Sequence, residues 1–288
     1  MASTVIVGGG IIGIATAYYL SEHQPGSSIH LVDSSATLFA SASGYAGGFL
    51  ARDWFHQDLA SLGALSFDEH EKLAKQFNGR EKWLYAKSVT VNYELPRRKP
   101  KGSTGQDWLR EGGSRADVIE ERGEVKDKNS PPWLRRIKGD ALSLVDNGEG
   151  TAVLVFWGMD PECFGVHISR IIYQHSRRTA RRPLVVQNPT DIGDTYHSVY
   201  TSMEDFSPEI YARPNGHIWL GGVNASLGLP PLATGAKPMD APLEKLKNLA
   251  RQIIKTDGEL EVLRTGLCFR PIYGKATGHG KEAMAASM

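Results

Sequence analysis

The chain has 288 residues, enough for one large domain or two ordinary ones around an ample apolar core. Its 33 Lys and Arg against 32 Asp and Glu leave a formal charge of +1, which offers no global attraction to nucleic acid or anionic membranes and points to a small or neutral partner. The two cysteines, Cys163 and Cys268, lie far apart without metal-type spacing, which argues against a disulfide scaffold or a zinc site and suits reduced thiols in a cytoplasmic protein. No apolar run approaches the roughly 20 residues of a membrane span, and the N-terminus enters its first strand without a charged leader.

Thr4 to Val7 is short, apolar and β-branched, the pattern of a strand buried on both faces of a parallel sheet. Gly8, Gly10 and Gly13 follow with the spacing G-x-G-x-x-G: a tight turn, room for a backbone to approach a pyrophosphate, and close helix–strand packing. A helix follows through Ile11, Ile12, Ile14, Ala15, Ala17, Tyr18 and Leu20, its positive end facing the phosphates. Ser28 to Val32 reads as a second strand. Asp33 ends it, about 20 positions beyond the last glycine, where an acidic side chain accepts hydrogen bonds from an adenosine ribose. The plainer alternative is an ordinary glycine-rich turn of an α/β protein, with Asp33 capping a loop.

Ser34 to Ala51 is dense in small residues without a period, which suits backbone packed around a ligand. A surface linker would be polar and would not carry Tyr45, Phe49 and Leu50 among its glycines. With this loop the chain resembles the FAD-dependent oxidoreductases of the D-amino-acid oxidase family, which include sarcosine and glycine oxidases, and within it the fungal cytosolic members. The resemblance implies an FAD site made by Gly8, Gly10, Gly13, the helix-start residues Ile11 and Ile12, Asp33 and Ser34. It adds the loop residues Ser41, Ser43, Gly44, Ala46, Gly47 and Gly48, lying against the pyrophosphate and flavin ring.

Further on, Leu59 to Phe77 has helical spacing and stops before Asn78-Gly79. Trp83 to Leu95 alternates as a strand. Arg97 to Gly105 reads as a basic solvated loop, Arg115 to Asp127 as an exposed edge strand, and Pro131 to Leu134 as an anchored loop. Thr151 to Trp157 is a further strand. Asp160-Pro161 is a helix start, and the helix is expected to run to Tyr173. Two apolar-aromatic runs, Glu209 to Ala212 and His217 to Gly221, flank Arg213-Pro214-Asn215-Gly216 and predict a hairpin. Tyr211 and Arg213 are its polar candidates for meeting a substrate carboxylate, since arginine's fork matches that group; a solvent-facing turn arginine is the alternative. Pro242 to Thr256 is an amphipathic helix, and Glu259 to Arg270 a strand that the resemblance leads back into the FAD domain, ending in Arg270-Pro271.

The chain departs from the family pattern twice. After Tyr173 it runs through Ser176 to Arg182 straight to Pro183-Leu184-Val185-Val186-Gln187, where the family carries further FAD-domain elements. After the glycine-bearing segment Gly274 to Gly280 only a short tail remains where the family carries a long helix. Internal and C-terminal segments are therefore expected to be missing, with FAD held weakly or lost.

The fold class expected is α/β, or α+β overall. A Rossmann-like FAD-binding domain with a βαβ start (1–58, 161–182 and 259–288) joins a substrate domain on a mixed or antiparallel sheet (59–160 and 183–258). The function expected is hydride transfer from a small amine or amino-acid-like substrate to flavin, without metal or nucleic acid. The sequence is silent on oligomeric state. The alternatives are a NAD(P)-linked dehydrogenase using the same fingerprint and a degenerate member without catalysis, which the two departures from the family pattern support; that no nucleophile, dyad or metal set is visible favours neither catalysis nor its absence.

Overall fold

The computed structural model describes residues 3–35, 37–95, 125, 130–156, 167–170, 178–181, 183–202, 208–222, 224–226, 240–271, 273–274 and 283–284. Strand β1 (Thr4–Val7), helix α1 (Ile11–Ser21) and strand β2 (Ile29–Asp33) form the opening unit. β1 and β2 pair in parallel from Thr4↔Ile29 to Val7↔Val32, as a βαβ start requires. The buried side of α1, with Gly13, Ile14 and Ala17, lies over Leu31, Leu38 and Phe39.

Two expectations fail here. Val5 and Val7 are 58% and 74% exposed, so β1 is covered on one face only. Part of the helix expected over Asp160 to Tyr173 is instead a strand, β7 (His167–Arg170), which joins β2 in parallel from His30↔His167 to Asp33↔Arg170. Pairing with the open edge of β2 outweighs the local helical spacing. The rest of that segment, its Asp160-Pro161 start included, lies outside the described residues. Among the described residues the parallel sheet thus has three strands, in the order β1-β2-β7.

Most remaining strands build one nine-stranded mixed sheet. Its elements are β3 (Phe49–Ala51), β4 (Ala86–Glu94), β5 (Ala141–Asp146), β6 (Thr151–Val153), β9 (Leu184–Gln187), β10 (Tyr196–Ser202), β11 (Glu209–Ala212), β12 (His217–Gly221) and β14 (Val262–Thr265). The order is β14-β9-β12-β11-β10-β4-β6-β3, with β5 on β4. β4 and β10 are parallel, Ser88 opposite Tyr196, and the other pairings in this sheet are antiparallel.

Alternation sorts this sheet into two apolar faces, as a period of two demands. Val186, Ile210, Ile218 and Leu220 point to one face with Trp133 and Leu134. They pack there against Leu246, Leu249 and Ile253 of helix α5 (Asp240–Ile253), each such buried side chain contributing about 1.5–3 kcal/mol. Their neighbours Val185, Tyr211 and Trp219 point to the opposite face with Tyr200, Phe49 and Trp54. The expected hairpin is present as β11–β12, with Arg213 N donating to His217 O across the turn at 2.9 Å. The anchored loop is also present: Trp133 and Leu134 are fully buried, and Lys255 N donates to Trp133 O at 2.8 Å.

The helix expected to stop before Asn78 is α3 (Gln57–Phe77), closed by Asn78 in the left-handed conformation at φ 56° and followed by a single turn, α4 (Gly79–Lys82). No described helix is long and apolar enough to cross a membrane. Within the run 176–182 that leads to Pro183, the described residues form strand β8 (Arg178–Arg181), flanked by β13 (Asn224–Ser226) and β15 (Cys268–Pro271) in a separate antiparallel sheet. The single strand expected over Glu259 to Arg270 is therefore two, β14 in the large sheet and β15 on β8, broken at Gly266-Leu267. A short pair, β16 (Tyr273–Gly274) with β17 (Ala283–Met284), completes the strands among the described residues. The loop 97–105 lies outside the described residues, as does all of the expected edge strand 115–127 except Val125.

Candidate cofactor and substrate site

The first glycine ends β1 at a φ of +110°, which glycine alone adopts freely, and Gly8 N donates to Val32 O at 2.7 Å. Gly13 is where the helix crosses this turn, and a Cβ there would be driven into the Gly8 carbonyl. Gly8 itself faces open space. α1 starts after Gly10 with no acidic residue in its first turn; Ile11 N donates to Ser43 Oγ at 3.1 Å, while the Ile12 side chain is 62% exposed. Asp33, at the end of β2, accepts Gly9 N at 2.6 Å and Ser35 N at 2.7 Å, so its carboxylate holds both the glycine turn and the following loop. Ser34 beside it is half-buried.

The small-residue loop crosses directly over this turn. Phe39 N donates to Gly9 O at 2.8 Å, and Ser41 precedes a single helical turn, α2 (Ala42–Tyr45). Gly44 is pressed against the Phe39 carbonyl, and Leu154 N donates to Gly48 O at 2.9 Å. Gly47 lies on the large sheet, where a Cβ would come within 2.6 Å of Tyr211 Cδ2 and 3.0 Å of Trp219 Cζ3. Ser41 and Ser43 are half-buried and Ala46 is exposed. The structure thus brings Gly8 to Gly13, Asp33 and the Ser41 to Gly48 loop together.

The sheet face under this loop carries a polar row. Glu209, Tyr211 and Arg213 alternate along β11 and its exit, and all three are buried. The Tyr211 ring is stacked between Phe49 at 5.4 Å and Trp219 at 5.2 Å. Its hydroxyl donates to Glu209 Oε2 at 2.9 Å and shares a hydrogen bond with Tyr200 at 3.0 Å. Arg213 is no solvent-facing turn residue: its Nη2 donates to Gly47 O at 3.0 Å and Ala46 O at 3.4 Å, and its Nε is buried without a partner. Burial, reinforced by the nearby Arg264 charge, lowers its pKa to about 9. Arg213, Arg264, Tyr45, Ala46 and Trp219 line one cleft, closed to a water molecule in this conformation. Among the described residues no group of three His, Cys, Asp or Glu could hold a metal.

Sequence reasoning singled out Tyr211 and Arg213 but passed over Glu209, Trp219 and Arg264. The period of two that puts Tyr211 and Arg213 on one face also reaches Glu209 and could have found it. Nothing local marks Arg264, whose role depends on β14 lying beside β9.

Chemically, the glycine turn and the first amides of α1 suit a phosphate, and Asp33 suits a hydroxyl pair. The open space before Gly8 and the orphaned Nε of Arg213 leave room for such a ligand on the cofactor side and an unmet donor on the sheet side.

The model of the FAD dependent oxidoreductase family, DAO, matches residues 3–141. The chain is 37% identical over 115 residues to an oxidoreductase of Schizosaccharomyces pombe, a stretch covering 36% of this chain and 29% of the relative. It is also 40% identical over 93 residues to the oxidoreductase TDA3 of Saccharomyces cerevisiae, covering 31% and 17%. These matches span less than a third of either relative's length. Among solved structures, glycine oxidase of Geobacillus kaustophilus superposes with a TM-score of 0.63 at 14% identity, over 93% of this chain and 82% of that one. Iminodiacetate oxidase of Chelativorans sp. BNC1 gives 0.62 at 13% identity, over 94% and 84%. Over residues 3–141 the chain is similar to the DAO family of FAD dependent oxidoreductases, and its mixed α/β architecture is the fold of these oxidases.

Proposed function

We propose that the protein is an FAD-dependent oxidoreductase that oxidises a carbon–nitrogen bond of a small amine or amino-acid-like substrate. The observation that carries this reading is the glycine turn opening α1, with Asp33 at the end of β2 and the small-residue loop fastened across both. The printed names of the solved neighbours, glycine oxidase and iminodiacetate oxidase, support the substrate class.

In this reading the backbone of Gly8, Gly10 and Gly13 and the Ile12 amide face the pyrophosphate, with Ile11 beside them held by Ser43 Oγ, and Asp33 with Ser34 takes the ribose. Ser41, Ser43, Gly44, Ala46, Gly47 and Gly48 flank the pyrophosphate and ring system. Flavin, when bound, supplies the hydride-accepting chemistry. Tyr211 and Arg213 are the candidates for meeting a substrate carboxylate, and the cleft beside Arg213, closed to water in this conformation, must open for its unmet Nε to donate. The buried aromatic stack beside them excludes water from the reacting carbon. The cofactor half of the site comes from 1–58, 161–182 and 259–288 and the substrate half from 59–160 and 183–258. We place the protein in the cytoplasm, consistent with two widely spaced cysteines.

The absorbance spectrum of the purified protein after incubation with FAD and gel filtration tests this. Flavin bands that stay with the protein are expected, bleaching on addition of an amino acid. A colourless protein that instead protects NAD(P) supports the dehydrogenase alternative. One that holds neither supports a degenerate member without catalysis.

A further inference from the structure

We infer that Arg213 and Arg264 are positioning residues that set cofactor affinity from the far side of the loop, without touching the cofactor; this rests on the FAD reading above. Both guanidinium groups reach from the large sheet to one short stretch of backbone. Arg264 Nη2 donates to Gly44 O at 3.3 Å, and its guanidinium carbon sits 4.3 Å over the Tyr45 ring. Arg213 Nη2 donates to Ala46 O and Gly47 O. Three carbonyls at the C-terminal end of α2 are thus held by two cations, the arrangement that satisfies helix-terminal acceptors.

Burial of the Arg213 guanidinium is the main cost of this arrangement, and the Arg264 charge adds to it. Arg213 is 4% exposed and lies within the field of Arg264. A neutral amide side chain could bond a carbonyl without that penalty.

What depends on it lies at the other end of the same helical turn. Ser43 presents the Oγ that accepts Ile11 N, the first amide of α1. Gly44 against Phe39 O and Gly47 against Tyr211 leave the stretch no slack, so a shift at Ala46 or Gly47 is transmitted to Ser43. The order of contact is large sheet, arginine pair, α2, Ser43, phosphate-binding end of α1.

The test uses the full-length protein and the variants Arg264→Gln, Arg264→Lys and Arg213→Lys. FAD affinity is read by quenching of flavin fluorescence, and amide hydrogen exchange is read on the cofactor-free protein. Arg264→Gln is expected to bind FAD about tenfold more weakly, the share of one charge-assisted hydrogen bond, with Arg264→Lys between it and the parent. Exchange should quicken at 44–48 and at Ile11 while β9 to β12 keep their protection. An FAD affinity within about twofold of the parent with unchanged exchange at Ile11 overturns the proposal, as does weakened binding with exchange raised across the whole sheet, which marks a general loss of stability. Should the parent protein take up no FAD, the cofactor reading fails, and quickened exchange at Ile11 in Arg264→Gln still decides whether the arginines position the loop.

Discussion

Replacing Gly47 by alanine asks a single methyl to fit where three rings already meet. The new Cβ would lie 2.6 Å from Tyr211 Cδ2 and 3.0 Å from Trp219 Cζ3, inside ordinary van der Waals contact. Tyr211 cannot turn aside, because Phe49 and Trp219 sandwich its ring and Glu209 and Tyr200 hold its hydroxyl. The backbone of the loop must therefore move, which stretches the Arg213 bonds to Ala46 and Gly47. Overpacking of this kind costs about 1–3 kcal/mol, or about 2–6 °C in melting temperature for a chain of this size. The assay is thermal unfolding followed by far-ultraviolet circular dichroism on cofactor-free protein, with Gly258→Ala as control. Gly258 has open space around it and is exposed, so its replacement should leave the melting temperature unchanged. A Gly47→Ala protein that melts with the parent and takes up FAD equally well would refute the packing argument.

Three further outcomes follow from the same geometry. Gly13→Ala places a Cβ against the Gly8 carbonyl, which cannot rotate away, so it should destabilise the opening βαβ unit more than Gly47→Ala does and abolish FAD uptake, both readable in the same melting and absorbance experiments. Asp33→Asn removes one acceptor from the pair Gly9 N and Ser35 N and the charge that would face a ribose, and should weaken FAD binding by about 10- to 100-fold in a fluorescence titration. Buried His197, whose Nδ1 has no partner, is pushed by desolvation from 6.5 down to about 4. The unfolded chain then binds the extra proton first, so stability is fully present above pH 6.5 and falls as the pH drops toward 4, by up to about 3 kcal/mol. Burial lowers His70 and His217 in the same direction. His197→Leu should flatten this acid slope in urea titrations at pH 6.5 and pH 5, and an unchanged slope would remove His197 as its cause.

What could be read in advance was what local chemistry decides. The glycine spacing and the hydrophobic helix behind it lie within one continuous segment and form the turn and helix that their residue types dictate, while Asp33 accepts two backbone amides beside them. The β11–β12 hairpin was legible for the same reason, its Asn215-Gly216 turn and its alternation being neighbours in sequence. β7 was misread because Ile168, Ile171 and Ile172 satisfy helical spacing while the open edge of β2, far away in the chain, decides the matter. The exposure of Val5 and Val7 was hidden likewise, since an apolar strand carries no mark of which face will be covered. At the site, Arg213 was found as a residue, but not its direction. Its bonds to Ala46 and Gly47 span 167 and 166 residues, and no local pattern encodes such a meeting.

The parallel pair at the centre of the large sheet also bears on how the chain reaches this state. β4 and β10 meet along seven residue pairs, with Ser88 and Ser198 sharing a buried hydroxyl bond across 110 positions of chain. During synthesis β4 therefore waits with an unpaired edge until β10 has emerged, whereas β1, α1 and β2 close on themselves at once. The opening unit of β1, α1 and β2 forms early and fast, and the sheet that bears Tyr211 and Arg213 forms late, across a large loop-closure entropy. Refolding from denaturant should then show two separated phases, and the interval between them, with strand edges bared, is when this chain is most exposed to aggregation.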